Sequence, residues 1–426
     1  MSLRSHYDDI AQCNKCGFCQ AACPIFRATG HESGVARGRL ALLRALIEGR
    51  LDWTRELEEP LFNCLRCGAC TANCFPKVPT ADLLAEARGE YFERVGRSPV
   101  HRLLFDELLP HLGRLRLAAK AAAVGKNTGL FKAARALGML RGFGSFVHEL
   151  PRAEDLVERL PRFSFRERVK PDTYEGAGDL RLAYFVGCGM DLLCPDAAEA
   201  TFAVLRQLGK TVTVLSNRCC GVPAYTYGDP AATRRLVRLN LELIDPEAFD
   251  AVATDCASCA AFLKKYPELP DLPDASRTRA GALAARTRDA VEILGNTLPP
   301  PTKPTPLLGA EGKPLVATYH DPCHAVRGQG LVKEPRALLK SLPGVEYREL
   351  PEADWCCGGA GSYALGHYDL SMQVLERKMD NVAKTGANLL VTACPACLVQ
   401  LRHGVRRRGL DVRVCHLSEL VLAQRS

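Results

Sequence analysis

The 426-residue sequence has no run of 18 apolar residues, so no membrane-spanning helix is expected. Its opening residues, Met1 to Asp9, form no apolar signal segment, which points to a cytoplasmic chain. No G-x-G-x-x-G fingerprint occurs: Gly187-Cys188-Gly189 runs into Met190-Asp191-Leu192 without a third glycine, and no Walker sequence is present. No FAD or NAD is therefore expected on this chain, and no Ser/His/Asp triad signal is found. Net charge is scarce, with 56 Lys and Arg against 48 Asp and Glu. That balance, without any reading motif, argues against nucleic-acid binding. Cysteine is missing between residues 74 and 188.

What remains is cysteine at both ends. The chain has 20, well below the roughly 8–10% of small disulfide scaffolds. In a reducing compartment they must serve as metal ligands, reactive thiols or buried apolar residues. With 47% hydrophobic residues the chain can bury a large core, and its length suggests two or three domains.

The first group reads Cys13-x2-Cys16-x2-Cys19-x3-Cys23-Pro24, and the second Cys64-x2-Cys67-x2-Cys70-x3-Cys74-Phe75-Pro76. This is the run by which bacterial ferredoxins hold [4Fe–4S] clusters. Three thiolates two residues apart on a tight loop reach three corners of a cube, and the fourth points to a neighbouring cube. Two clusters are expected: one on Cys13, Cys16, Cys19 and Cys74, the other on Cys64, Cys67, Cys70 and Cys23. Gly17, Gly68, Ala69 and Ala22 leave room for backbone N–H groups beside cluster sulfur. Structural zinc takes two separated cysteine pairs and fits this spacing poorly. Phe75, inserted before Pro76, is expected to loosen the helix start after Cys74. Helical spacing predicts helices over 37–47 and 80–95. A helical connection of this length resembles the all-helical ferredoxin domains of fumarate-reductase-type subunits.

The later cysteines form two copies: Cys188, Cys219-Cys220-Gly221, Cys256-x2-Cys259, and Cys323, Cys356-Cys357-Gly358, Cys394-x2-Cys397, offset by 135 to 138 residues. Apolar runs precede each lone cysteine (182–186 and 315–319) and each final pair (251–253 and 389–391). Helical stretches at 197–208, 231–243 and 369–384 alternate with them. The alternation predicts two repeated α/β units with parallel sheets and cysteines at the strand ends, where ligands gather in such folds. The expected architecture is α+β multidomain. A helical ferredoxin domain (1–100) precedes a helical basic linker (101–180) and the two cysteine-rich units (181–297 and 307–426). Five thiolates exceed the four that zinc takes. Adjacent cysteines can hold different irons of a cluster. An iron–sulfur cluster, a mononuclear zinc and an empty redox set all remain open at these residues.

At this pattern the chain resembles the glycolate oxidase iron–sulfur subunit family, whose two ferredoxin motifs are followed by two "CCG" cysteine-rich domains. The layout is shared with fused heterodisulfide reductase subunits and the anaerobic glycerol-3-phosphate dehydrogenase C subunit. The run Cys356 to Leu365, with Glu376 to Asn381, looks most like the glycolate oxidase family. The resemblance implies that the chain transfers electrons for a flavin-containing dehydrogenase partner, which oxidises 2-hydroxy acids such as glycolate or D-lactate. Electrons would leave to a quinone or another carrier. Here both CCG sets are complete, as in heterodisulfide reductase subunits, where the resemblance implies noncubane [4Fe–4S] clusters that cleave a disulfide.

Cys194 and Cys415 lie outside both sets and are expected to be buried apolar residues. His320 and His324 flank Cys323 and are expected to be loop histidines that fix backbone, a bond to cluster sulfur or a proton relay being the other readings. The stretch 101–150 holds eight Lys/Arg and three Asp/Glu. Residues 121–147 mix these with leucine and phenylalanine, which suits a packed linker or peripheral association with the inner face of a membrane. Arg406-Arg407-Arg408 reads as a solvated helix end. Charged residues 161–180 and the proline-rich 298–306 read as linkers.

Overall fold

The computed structural model describes residues 3–136, 154–297, 307 and 315–425. The proline-rich spacer 298–306 and residues 137–147 of the basic stretch fall outside them.

The first hundred residues are helical. The helix Ala36–Ile47 buries Leu40, Leu43 and Leu46, one stripe at helical spacing, against Leu83, Leu84 and Ala87 of the helix Thr80–Arg94. Both helices lie where their periodicity places them.

The two later units are α/β. The first sheet contains β1 (Thr173–Glu175), β2 (Leu180–Tyr184), β3 (Gly209–Val214), β4 (Ala251–Thr254) and β5 (Thr287–Asp289). Their order is β1-β3-β2-β4-β5, with β1 antiparallel to β3 and every other pairing parallel. The second sheet contains β6 (Leu315–Tyr319), β7 (Val345–Tyr347), β8 (Leu389–Thr392) and β9 (Arg413–His416) in the parallel order β7-β6-β8-β9. Registers match across the repeat: Tyr184 pairs with Ala253 in one unit and Tyr319 with Val391 in the other. β4 and β8 are buried at every residue, as central parallel strands covered on both faces must be. The crossover helices Pro195–Leu208, Pro230–Leu243 and Tyr368–Thr385 occupy the stretches expected to be helical.

The charged stretch 161–180 is more than a linker. Ser164 caps the short helix Phe165–Arg168 in a capping box with Glu167, Phe165 is fully buried, and β1 adds an edge to the first sheet. Nor are the two units beads on a spacer. One continuous apolar core takes in Phe105, Leu109, Leu156 and Phe165 of the segment before the first unit and runs on to Val421. The helix Leu417–Ala423 of the second unit packs on Pro195–Leu208 of the first, where Thr201 donates to Ser418 at 2.9 Å.

The linker helices Leu112–Asn127 and Leu130–Ala136 lie beside the first unit. Their basic residues are largely paired: Arg114 with Glu107, Lys120 with Glu167, and Lys126 with the buried Glu154. Leu117, Val124 and Leu130 stand exposed. No helix among the described residues is long and apolar enough to cross a membrane.

Candidate metal centres

Both ferredoxin-type loops fold alike. Lys15 and Arg66, just before the second cysteine of each run, have φ near +50°, and Gly17 and Gly68, just after it, have φ +86° and +72°. Two left-handed residues in each loop curl the chain around its thiols, and short helices follow at Phe18–Ala22 and Ala69–Ala72. The Arg66 N–H points to Cys64 Sγ at 3.4 Å.

The structure gathers Cys13, Cys16, Cys19 and Cys74 around one small cavity, which Cys70 also borders. It gathers Cys23, Cys64, Cys67 and Cys70 around a second. The fourth cysteine of each run thus crosses to the other run's loop. Cys23 caps the helix Pro24–Thr29, its Sγ accepting the Phe26 N–H at 3.5 Å. Cys74 starts no helix: Phe75 and Pro76 form a turn, and the chain becomes helical again at Thr80. Burial pushes the Cys23 thiol up to about 11 and Cys70 up to about 12. Four cysteines converging on each cavity suit a thiophilic metal centre, whose binding would expel those protons.

In the CCG units each of the ten cysteines of the two repeated sets follows the carboxyl end of a strand. Cys188 and Cys323 open the helices Cys188–Leu193 and Cys323–Gln329 after β2 and β6. Cys256 and Cys394 cap Ala257–Lys265 and Pro395–Arg408 after β4 and β8, and each helix carries the second cysteine of its pair, Cys259 or Cys397. Cys219-Cys220 and Cys356-Cys357 lie in the loops after β3 and β7.

Spacing could not show that the two sets meet. The Ala257 N–H donates to Ala393 O at 3.3 Å, joining the two final-pair loops, and Cys256 lies in hydrogen-bond contact with Cys394. Thiol contacts continue in both directions. On one side they pass from Cys256 through Cys259, Cys220 and Cys219 to Cys188, the last pair 3.9 Å apart. On the other they pass from Cys394 through Cys397 and Cys357 to Cys356, which touches both Cys323 and Cys67 of the ferredoxin part. An unbroken series of thiols therefore links the second ferredoxin loop to the far end of the first CCG unit. Cys220 and Cys357, equivalent in the repeat, are both lowered because neighbouring thiols donate to them, Cys220 to about 5.

Nine of these ten CCG cysteines line one cavity of about 510 Å³, whose outer wall is apolar: Leu104, Leu109, Leu115, Leu156 and Leu160 from the segment before the first unit. His320 borders it too, buried, with Nδ1 lacking a partner and its protonation pushed down to about 3 by burial. His320, Cys357 and Cys397 offer ligand atoms within 4.8 Å of one another, a set that a zinc ion could also use. His324 Nδ1 instead meets Ser258 Oγ at 2.8 Å, and that serine lies 3.8 Å from Cys394 Sγ. Cys194 and Cys415 are buried, each 3% exposed.

Comparison with known proteins follows this division. The family described as 4Fe-4S dicluster domain matches residues 9–78, and the family described as Cysteine-rich domain matches 182–264 and 317–402. The chain is 33% identical to the "Probable glycolate oxidase iron-sulfur subunit" of Bacillus subtilis (strain 168), over 97% of this chain and 94% of that one. It belongs to the glycolate oxidase iron–sulfur subunit family. The Escherichia coli (strain K12) "Glycolate oxidase iron-sulfur subunit" is 28% identical over 92% of this chain and 89% of its own. A fumarate reductase (CoM/CoB) subunit from Methanothermobacter marburgensis is 27% identical over 85% of this chain and 72% of its own. Membership of the family and the dicluster match support an iron–sulfur electron-transfer role with [4Fe–4S] clusters in the N-terminal domain.

Proposed function

We propose that the chain is the electron-transfer subunit of a flavin-linked 2-hydroxyacid dehydrogenase complex of the glycolate or D-lactate type. The flavin sits on a partner chain, and the acceptor is a quinone or another carrier. Cys13, Cys16, Cys19 and Cys74 would hold one [4Fe–4S] cluster, and Cys64, Cys67, Cys70 and Cys23 the other. The ten CCG cysteines would hold further iron–sulfur centres of the noncubane kind. When bound, such clusters supply reversible one-electron carriers whose potentials the protein tunes.

The observation that carries this reading is the contact series from Cys67 to Cys188. This chain's own residues do the rest. The exposed Cys16 leaves the first centre open to a partner. Cys67 and Cys356 bring the second centre against the CCG cavity, and the Leu104, Leu109 and Leu115 wall suits an apolar carrier such as a quinone.

A second reading, reduction of a disulfide at the CCG cysteines, is favoured by the completeness of both five-cysteine sets around one cavity large enough for a small substrate.

The test is anaerobic purification with any flavoprotein partner, then dye-linked oxidation of glycolate, D-lactate, L-lactate and glycerol 3-phosphate, beside disulfide reduction assays. A hydroxy acid that bleaches the chromophore through a partner supports the dehydrogenase reading, and activity on disulfides alone replaces it. About eight irons per chain fit two cubanes, and more place iron at the CCG cysteines. Stoichiometric zinc with little iron would remove the electron-transfer role.

A further inference from the structure

Two arginines lie buried around the second ferredoxin-type site, and no carboxylate accompanies either among the described residues. Arg39, 2% exposed, lines the same small cavity as Cys23, Cys64, Cys67 and Cys70. Its guanidinium donates only to backbone carbonyls, to Pro60 O at 2.7 Å and to Asn63 O. Arg88, also 2% exposed, donates to Leu61 O at 2.9 Å, Phe62 O at 3.3 Å, Cys64 O at 3.4 Å and Thr226 O.

The neighbouring basic residues differ. Arg37, which borders the first site, is half-exposed and tied to Glu32 at 2.6 and 3.0 Å. Arg66 has Asp82 at 3.4 Å. Of the two ferredoxin-type sites, the second is the one with buried cations that no carboxylate pairs among the described residues.

Carbonyl dipoles satisfy N–H groups but do not cancel a net charge. A buried guanidinium costs several kcal/mol of hydration and is retained where an anion faces it. Among the described residues the acidic groups that interact with this pair are the thiols and two phenols, Tyr227 beside Arg88 and Tyr363 beside Arg39. Burial pushes both phenols up and keeps them neutral, which leaves the thiols to supply negative charge. Arg39 acts electrostatically on Cys23 and Cys70, and Arg88 interacts with Cys64. Four thiolates around iron and sulfide form an anionic unit that gains one more negative charge, and no proton, on reduction.

We propose that Arg39 and Arg88 are the fixed counter-charge of the second ferredoxin-type centre and hold its reduction potential above the value its burial alone would give. They are positioning residues that touch no substrate. The proposal rests on the cluster assignment above. It adds that the site next to Cys356 is the more strongly electron-attracting of the two, so charge is drawn from the exposed loop inward.

The test uses the full chain, purified without oxygen, with stepwise dithionite titration followed by electron paramagnetic resonance. Two reducible cubane signals in the native protein are the precondition, and their absence refutes the cluster assignment itself. With both present, Arg39→Met and Arg88→Met each move one midpoint to more negative potential. Arg39→Lys and Arg88→Lys, which keep the charge, restore most of the shift. The couple perturbed by Cys16→Ser stays where it was. Unmoved midpoints in the Met variants overturn the proposal, and so does a Lys variant displaced as far as its Met counterpart. A shift confined to the couple that Cys16→Ser alters overturns it too. Arg88 also ties the ferredoxin part to Thr226. If Arg88→Met loses iron, Arg39→Met, which lacks that tie, decides the matter.

Discussion

The glycines after the paired cysteines show how far single residues are constrained. Gly221 has φ +98° and Gly358 φ +87°, a region costing other L-residues roughly 1–2 kcal/mol. Their surroundings differ. A Cβ at Gly358 would lie 2.6 Å from the Ser371 carbonyl, whereas one at Gly221 would meet the Phe262 ring edge at 3.3 Å. Gly358→Ala is therefore expected to lower the melting temperature more than Gly221→Ala and to deplete iron first, as denaturation and iron assays on both variants will show. His416 is a second case. It is buried, its Nδ1 accepts the Ser418 N–H at 3.2 Å, and its Nε2 faces Asp255 O at 3.1 Å, so the neutral ring with its proton on Nε2 satisfies both contacts. Burial pushes its protonation down to about 4, against roughly 6.5 in the unfolded chain. Between those values the unfolded state binds the proton and the folded state resists it. Stability from this residue is full above pH 6.5 and is lost as the pH falls toward 4. Asp255, raised to about 7 by burial, has the opposite slope, losing stability as the pH rises from about 4 to 7. The comparison must therefore be native minus His416→Asn. That difference in denaturation midpoint is expected to shrink steadily from pH 7 to pH 4.5, and a constant difference would contradict the ring geometry.

At the scale of elements, the linker helix Leu112–Asn127 and its neighbour Leu130–Ala136 pose the sharpest question. Residues 112–136 carry six Lys/Arg and no Asp/Glu, yet four of those charges (Arg114, Arg116, Lys120 and Lys126) pair with carboxylates outside the stretch, which leaves Leu117 and Val124, seven residues apart, as an exposed apolar stripe, with Leu130 exposed on the next helix. If the stripe rests on a bilayer, Leu117→Glu with Val124→Glu abolishes co-flotation with anionic vesicles while thermal stability stays within about 0.5 kcal/mol, as for other surface changes. A native chain that never floats disposes of the membrane reading. Elements of this kind were legible from periodicity alone. Leu40, Leu43 and Leu46 mark Ala36–Ile47, and the apolar runs before Cys188 and Cys323 become β2 and β6. The strand Thr173–Glu175 was not, because three polar-flanked residues at a sheet edge carry no hydrophobic pattern; pairing with β3, with Thr173 Oγ1 2.8 Å from Thr213 Oγ1, decides it.

For the whole molecule, the repeat was visible in the cysteine offsets, but the meeting of Cys256 with Cys394 and of Cys67 with Cys356 was not. Those contacts depend on how separately folded layers dock, which local spacing does not encode. Arg39 and Arg88 were missed for a related reason: an arginine in a helical pattern looks solvated until its partners are seen. Because one core spans both CCG units, stability should be shared between them. Leu420→Ala, at a fully buried site on the helix Leu417–Ala423, is expected to cost about 2–5 kcal/mol. It should raise amide exchange around β2 and β3 as well as around β8 and β9, and a rise limited to residues 315–425 would show independent units. The Cys67–Cys356 contact also has a consequence for biogenesis. It lies where Tyr363 of the second unit closes over the ferredoxin part, its hydroxyl donating to Asn63. A chain that closed empty would hold Cys67 and Cys356 buried against each other. If iron occupies the second ferredoxin-type site, its delivery is expected to be faster before the carboxyl-terminal unit settles over Cys67, and slower reconstitution of the already folded chain than of the refolding chain checks this.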